Sequence, residues 1–515
     1  MRRSFLAILS LCLFLTGCSV NPVTGERNLN FMSEDWERGV GAEMYAPMRQ
    51  SQGGDFILDP ELASYVQAVG NRLAVQAKRQ LPYEFHIIND SVPNAWALPG
   101  GKIVVNRGLL TELSSEAELA AVLGHEIVHA DAAHGARGQS KGVFTQVGAI
   151  AGMIYLGRKA DSRAGAQAAQ IIPMLGAQLI SQKYGRDAER ESDFYGMHYM
   201  SAAGYDPQGA VELQRTFLKL SEGRESDWLS GLFASHPPSE ERVLNNQETA
   251  SSLPAGGERH EQIYQRKMAF LERIAPAYEA HDKGRKALAE EELDQARDFA
   301  DLAIKLAPAE ALFHTLSGDI HANQKNYRRA EQAYGAALKR DDSFFYHYLR
   351  RGMTRHELER YEGARQDLET SLKMLPTAQA HYLLGSLDMR DGNRQSAIAH
   401  FDAAKASNSE AGVNSNRELA RMDPLQYLTV QGAMDQSGKA YAILENKAPL
   451  TIGGIMLDVT YINNQGERKQ FSRELNQSLE AGKSANIPLG LDGYKDYKDL
   501  SARLHVGATS AKAVD

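Results

Sequence analysis

His125-Glu126-Ile127-Val128-His129 decides the reading of this chain. The five residues sit in a run that should be helical. Ser115 and Glu118 make an S-x-x-E capping box, and Leu119, Val122, Leu123, Ile127 and Ala130 follow at helical spacing, with Gly135 as the expected terminator. On such a helix the two histidines lie four residues apart on one face, so both imidazoles can reach a single ion. Glu126 stands beside them, placed to take a proton from water.

The surrounding chain has 515 residues, which implies two to four domains. It is 43% hydrophobic and 24% charged, with a formal net charge of −8 that gives no reason to expect nucleic-acid binding. Residues 1–17 read as a cleaved signal: Arg2 and Arg3, an apolar stretch from Phe5 to Leu15 too short to span a bilayer, then Leu15-Thr16-Gly17-Cys18. Those last four residues resemble a bacterial lipobox, which implies Cys18 as the lipidated first mature residue; the other reading is an ordinary secretory signal. Ser19 in place of aspartate, by resemblance to sorted lipoproteins, favours the outer membrane. The only cysteines are Cys12, inside the signal, and Cys18, so the mature chain has no internal disulfide despite an exported address.

Residues 18–255 are expected to form the metal domain, with an N-terminal tether and a first helix from Ser33 to Met48. Glu84 to Ile88 and Lys102 to Asn106 read as strands, the second introduced by Pro99-Gly100-Gly101 and expected to be the edge that pairs with an extended peptide. The Gly-, Ala- and Gln-rich stretch from Gly142 to Ile180 admits two readings, a buried helix pair, or a mobile or membrane-touching flap over the active site. From 275 to 410 the chain repeats. Gly284, Gly318, Gly352 and Gly385 are 34, 34 and 33 residues apart; Ala296, Ala330, Ala364 and Ala397 follow each by twelve. Ala303, Ala337, Ser371 and Ala404 recur later in the unit, and Pro308 and Pro376 close two copies. That period is the tetratricopeptide repeat, about four copies of it. Residues 424–510 turn β-rich, with strands expected at Tyr427 to Gln431, Ala440 to Leu444, Ile455 to Ile462 and Ala485 to Leu489, a small β-sandwich. The fold expected is therefore mainly α: an α+β metallopeptidase domain, an α-solenoid, then the sandwich.

Catalytic zinc takes three protein ligands and leaves one position open. Arg186-Asp187-Ala188-Glu189-Arg190-Glu191-Ser192-Asp193 offers the third: a helix puts Glu189 and Asp193 on one face, Glu189 as ligand and Asp193 to hold a ligating histidine by hydrogen bond. Alone, the segment reads equally as a charged face held by ion pairs; with the two histidines upstream the ligand reading prevails. His134, five residues past His129, should lie about 140° round the helix, off the ligand face, as a cationic cap at its C-terminus. The other histidines read as surface or core.

The pairing of H-E-x-x-H with a later E-x-x-S/A-D resembles the gluzincin metallopeptidases. Asn94-Ala95-Trp96-Ala97-Leu98-Pro99-Gly100-Gly101, Asn106-Arg107-Gly108-Leu109-Leu110, Ser235-His236-Pro237-Pro238 and Asn21-Pro22-Val23-Thr24-Gly25 narrow this to the HtpX/BepA-type branch, over residues 20–250. The lipobox is closer to the lipoprotein relatives, and the added β-domain is not implied by the BepA-like pattern. The resemblance implies one zinc per chain on His125, His129 and Glu189, with Glu126 as general base. It also implies His236 and Arg242 as active-site groups, His236 either as a fourth, inhibitory ligand or, with Arg242, as a stabiliser of the oxyanion. The function expected is a zinc endopeptidase of the periplasm, anchored to the outer membrane through lipidated Cys18. Its expected substrates are misfolded or stalled outer-membrane proteins, and its repeats would meet the assembly machinery. The alternative is a largely latent peptidase that acts as a repeat-based chaperone or scaffold. Purely structural zinc fits poorly, because such sites usually use cysteine. Cys18→Ala should abolish incorporation of a lipid label and release the protein from membranes into the soluble fraction, since several acyl chains anchor stably where one does not. Retention of the variant on membranes would contradict lipid anchoring.

Overall fold

The computed structural model describes residues 18–29, 32–137, 184–223, 236–463 and 465–514. The expected signal at 1–17 and the Gly142–Ile180 stretch fall outside them. No helix among the described residues is long and apolar enough to cross a membrane. The chain divides into two compact units, Met1–Pro376 and Thr377–Asp515.

In the first unit, β1 (Cys18–Val20) and β2 (Arg27–Leu29) form a hairpin where a bare tether was expected. Then come α1 (Glu34–Ser51), α2 (Pro60–Ala74), β3 (Glu84–Ile88), β4 (Ala95–Leu98), β5 (Lys102–Asn106), the single turn α3 (Arg107–Leu110) and α4 (Glu116–Asp131). The β-branched runs Ile87-Ile88 and Ile103-Val104-Val105 favour strands, and Gly100 and Gly101, at φ +80° and +83°, make the reversal between β4 and β5 that residues with a Cβ resist. The sheet order is β3-β5-β4, with β3 and β5 parallel and β4 antiparallel to β5. This corrects the expected edge: Lys102–Asn106 is the central strand, and Glu84–Ile88 and Ala95–Leu98 are the outer ones, Ala95–Leu98 with no second partner strand among the described residues. Every residue of α4 from Glu116 to Asp131 is buried, so the metal helix is the centre of the domain. Helices α5 (Arg186–Ala202), α6 (Gln208–Gly223) and α7 (Glu240–Ser252) complete it.

The repeats follow as antiparallel helix pairs: α8 (Glu261–Ala289) with α9 (Leu293–Leu306), α10 (Ala311–Asn323) with α11 (Tyr327–Leu338), and α12 (Phe345–Glu357) with α13 (Tyr361–Met374). The first pair is not separated from the peptidase. One core cluster runs from Val23, Val69 and Leu123 through Met268, Leu271 and Tyr278 to Phe313. Arg107 stacks its guanidinium 3.4 Å over the Tyr278 ring, and Gln50 binds the backbone at Ser343 and Phe345. The repeat glycines are where helices touch: a Cβ at Gly318 would lie 2.5 Å from the ring of Tyr334, and one at Gly284 2.9 Å from Leu316.

The second unit, described by itself, begins with α14 (Ala378–Arg390), α15 (Arg394–Ala404) and α16 (Glu410–Met422), the first two carrying Gly385 and Ala397 of the fourth repeat copy. Then come β6 (Leu428–Met434), β7 (Ala440–Asn446), β8 (Thr451–Ile462), β9 (Arg468–Glu474), β10 (Ser484–Leu491), α17 (Tyr497–Arg503) and β11 (Leu504–Val514). They form two three-stranded sheets, β10-β7-β6 and β11-β8-β9, over one core that includes Leu444, Ile455, Leu457 and Val459. β9 and β11 were not expected from sequence. β9 is charged and almost wholly exposed, and the second half of β11 is built of small and polar residues, so neither shows alternation.

Gly318→Ala tests the packing logic of the repeats. Alanine favours a helix by about 1 kcal/mol, but the Tyr334 ring is fully buried with its hydroxyl bonded to Asp319, so it cannot yield. Overpacking of about 1–3 kcal/mol should win, lowering the melting temperature in a calorimetric scan; a raised Tm would contradict the close approach.

Candidate metal centre

Two glycines set the geometry. Gly124 precedes His125 on α4, and Gly196 lies one turn beyond Asp193 on α5. A Cβ on Gly196 would stand 3.1 Å from the carbonyl carbon of Gly124 and from the backbone nitrogen of His125. With only hydrogens at the crossing, the two helices meet backbone to backbone, and side chains from both reach the same point.

The helix start is as the capping pattern requires, with a variation. Ser115 Oγ accepts from the Glu118 amide at 3.2 Å, while Glu118 accepts from the amide of Ser114. Its end differs. The helix stops at Asp131, four residues before Gly135, and the left-handed residue is Ala133 at φ +54°. Asp131, fully buried, accepts from the amides of Lys78 and Arg79 and from Tyr199.

His125, His129, Glu189 and His236 converge, each offering one donor atom within 4.8 Å of all the others. His125 Nε2 lies 3.0 Å from His129 Nε2 and 3.2 Å from His236 Nδ1. Glu189 places its oxygens 3.1 Å from His236 Nδ1, 3.4 Å from His129 Nε2 and 3.6 Å from His125 Nε2. An ion bound tetrahedrally at the usual zinc–nitrogen length would separate its ligands by about 3.3–3.4 Å. The spacing and the chemistry of the set, three imidazoles and a carboxylate, therefore fit zinc. Burial drives His129 toward the neutral form a ligand needs. Burial would raise Glu189, but the positive imidazole of His236 and hydrogen bonds hold it well below its ordinary range.

Glu126 is 2% exposed, and its Oε2 has no hydrogen-bond partner. Burial raises its pKa, with His236 and His125 opposing. Its Oε1 is 3.6 Å from His236 Nε2. A small, mostly apolar cavity of about 30 Å³ opens beside it, lined among others by Ala95 of the edge strand, Val122, Met197 and Phe217.

Asp193 accepts at 2.9 Å from His125 Nδ1, turning the opposite ring nitrogen to the cluster. Arg242 grips Asp193 with two hydrogen bonds of 2.7 Å and reaches Glu189 at 3.1 Å. Its guanidinium is thus engaged by the carboxylates that organise the site. Burial opposes the Asp193 charge, and Arg242 overrides it.

Sequence reasoning missed two groups. The ring of Tyr184 stacks on His129 at 4.0 Å. His134 is no cationic cap: it is 4% exposed, burial lowers its pKa, and its Nδ1 is 2.8 Å from His129 Nδ1. The 140° offset assumed an unbroken helix. Ala133 breaks it, and residues 134–137 start a new helical turn from a different direction.

Gly196→Ala should push α5 off α4, with a net loss of about 1–3 kcal/mol from overpacking and zinc occupancy falling alongside. Glu189→Gln should lower zinc occupancy without the same loss of stability in the metal-free protein. Metal analysis and thermal unfolding read both; a fully zinc-loaded Gly196→Ala would contradict the proposed role of the crossing.

The model of "Peptidase family M48" matches residues 60–250, which contain every donor named above. The mitochondrial metalloendopeptidase OMA1 of Schizosaccharomyces pombe is 33% identical over 239 residues, 46% of this chain and 67% of that protein. The beta-barrel assembly-enhancing protease of Escherichia coli is 31% identical over 225 residues, 42% of this chain and 45% of that protein. Metalloprotease YcaL of Escherichia coli is 28% identical over 48% of this chain and 98% of its own length. Among the curated relatives it matches, the chain thus spans two thirds of the yeast protein but less than half of the assembly-enhancing protease. The donor cluster and these matches agree, and the chain belongs to peptidase family M48.

Proposed function

We propose that the protein is a zinc-dependent endopeptidase of the periplasmic side of a bacterial outer membrane, acting on unfolded or stalled β-barrel proteins. The observation that carries the hydrolytic reading is the convergence of His125, His129 and Glu189 beside a buried Glu126 whose Oε2 has no partner. His125, His129 and Glu189 would hold the zinc. Bound there, zinc supplies a Lewis acid that polarises a carbonyl and makes water acidic. Glu126, raised in pKa by burial, takes a proton from the attacking water and delivers it to the leaving amine. The outer strand β4 has Ala95 at the cavity, and no described strand pairs with its other side, where an extended substrate would add.

The substrate class draws on the printed name of the assembly-enhancing relatives and on the repeats. In the first unit a cavity of about 660 Å³ opens between the peptidase and the first helices of the three repeat pairs, lined among others by Asp90, Arg107, Arg285 and Phe344. Its size and mixed polar lining suit a segment of unfolded chain. The anchor would be lipid on Cys18.

A second reading has one specific observation in its favour. His236 sits in the donor cluster as closely as the other ligands, so the protein itself fills the position a substrate needs. In that reading the resting protein is a latent peptidase whose repeats hold clients or the assembly machinery. The two combine if His236 is a cap that clients displace.

Digestion of an unfolded outer-membrane barrel by wild type and Glu126→Gln, with zinc measured in each, tests the proposal. Glu126→Gln should retain one zinc and lose cleavage, because a carboxamide cannot accept the proton. His236→Ala should raise cleavage if the residue caps the site. A fall of about 10²–10³ would instead mark it as an oxyanion donor. A Glu126→Gln protein as active as wild type would refute the mechanism.

A further inference from the structure

The turn Asn21-Pro22-Val23-Thr24-Gly25 lies outside the family match, yet it is built into the metal centre. Between β1 and β2, Asn21 Oδ1 accepts from the amide of Val23 at 2.9 Å, its carbonyl accepts from Gly25 at 2.8 Å, and its own amide donates to Glu26 at 2.7 Å. Val23 enters the peptidase core. Asn21 is 2% exposed, and the one group left over, Nδ2, donates to Glu191 Oε1 at 2.6 Å. Glu191 is on α5, two residues past Glu189. The same Oε1 lies 3.3 Å from His134 Nε2, at ion-pair distance though off the line of a hydrogen bond, and Arg137 is 3.6 Å from Oε2. His134 Nδ1 in turn meets His129 Nδ1 at 2.8 Å.

The chemistry of the row has one direction. Two ring nitrogens can stand 2.8 Å apart only if one carries hydrogen and the other a lone pair. His129 must offer its Nε2 lone pair to the donor cluster, so its proton sits on Nδ1 and is donated to His134 Nδ1. His134 then carries its own proton on Nε2, toward Glu191. The carboxylate at the end is held by the Asn21 amide. His125 meets its carboxylate, Asp193 of α5, directly; His129 reaches its carboxylate through a second imidazole, and that carboxylate is held by the N-terminal turn.

We infer that the N-terminal turn is a latch on the metal centre: Asn21, seated on Glu191, fixes through His134 the orientation in which His129 binds the ion. Asn21, Glu191 and His134 are positioning residues, and unseating the N-terminal segment loosens the site from a distance. The inference rests on the metal-site reading above.

Asn21→Asp in the full-length protein is the direct test. It keeps the acceptor for the Val23 and Thr24 amides, so the turn persists, but it replaces the donor with a charge facing Glu191. Zinc affinity is read by competition with a chromophoric chelator, the ligand geometry by the visible spectrum of the cobalt(II)-substituted protein, and fold integrity by unfolding of the metal-free form. Asn21→Asp and Glu191→Gln should each weaken zinc binding roughly 10- to 100-fold and shift the cobalt bands. The double variant should bind no more weakly than Glu191→Gln alone, because one row is broken once. Asn21→Ser, which keeps a short acceptor but cannot reach Glu191, serves as second variant with the same expected loss. Asn21 variants that bind zinc as tightly as wild type with unchanged cobalt bands would overturn the latch, whatever their melting temperature. So would losses that multiply independently in the double variant. A wild type with no zinc affinity would instead remove the metal reading, and the latch with it.

Discussion

Where α4 and α5 cross, neither helix has a side chain in the way. Gly124 and Gly196 face each other, and a methyl group on Gly196 would already sit 3.1 Å from the opposite backbone. Everything chemical in the molecule depends on that separation. His125 and His129 belong to one helix, Glu189 and Asp193 to the other, and their short side chains converge only if the two backbones nearly touch. Helix propensity argues against glycine in both places by about 1 kcal/mol each. The chain accepts that cost where it gains a ligand set assembled from two rigid elements.

A cluster of buried ionisable groups is expensive to build, and its surroundings show how the expense is offset. Each charge inside has a named counterpart: Asp193 has Arg242 and His125, Glu189 has Arg242 and the imidazoles, Glu191 has Arg137 and the amide of Asn21. Glu126 is the exception, with one oxygen that meets no partner. A carboxylate oxygen left unsatisfied beside four groups that could hold a metal is costly for stability and useful for catalysis, which is the usual trade at a reacting centre. His236, brought from outside both helices, closes the cluster.

What could be read from the residues alone was what is local. The metal helix announces itself by a capping box and helical spacing, and the repeats by small residues at a fixed period. Glu189 could be read as a ligand only against the two histidines upstream, because sixty residues of chain intervene and a charged helix face alone looks the same on paper. The edge strand was misassigned since strand order is set by how the sheet closes, and nothing in Lys102–Asn106 itself says whether one neighbour or two will pair with it. His134 was placed by ideal helix geometry, which Ala133 breaks at φ +54° without a glycine to signal it. The glycine crossing, the stacking of Tyr184 and the seating of Asn21 are all contacts between distant segments, which no spacing rule can reveal.

The central claim is that His125, His129 and Glu189 hold a single ion, with His236 at its remaining position in the resting protein. X-ray absorption at the zinc edge of the full-length protein tests it most directly. The account predicts one zinc per chain in a four-coordinate shell of nitrogen and oxygen, with the outer-shell scattering of three imidazoles. In His236→Ala that scattering should fall to two. A site with sulfur in its shell, or a shell unchanged when His129 and Glu189 are replaced, would place the metal elsewhere and contradict it.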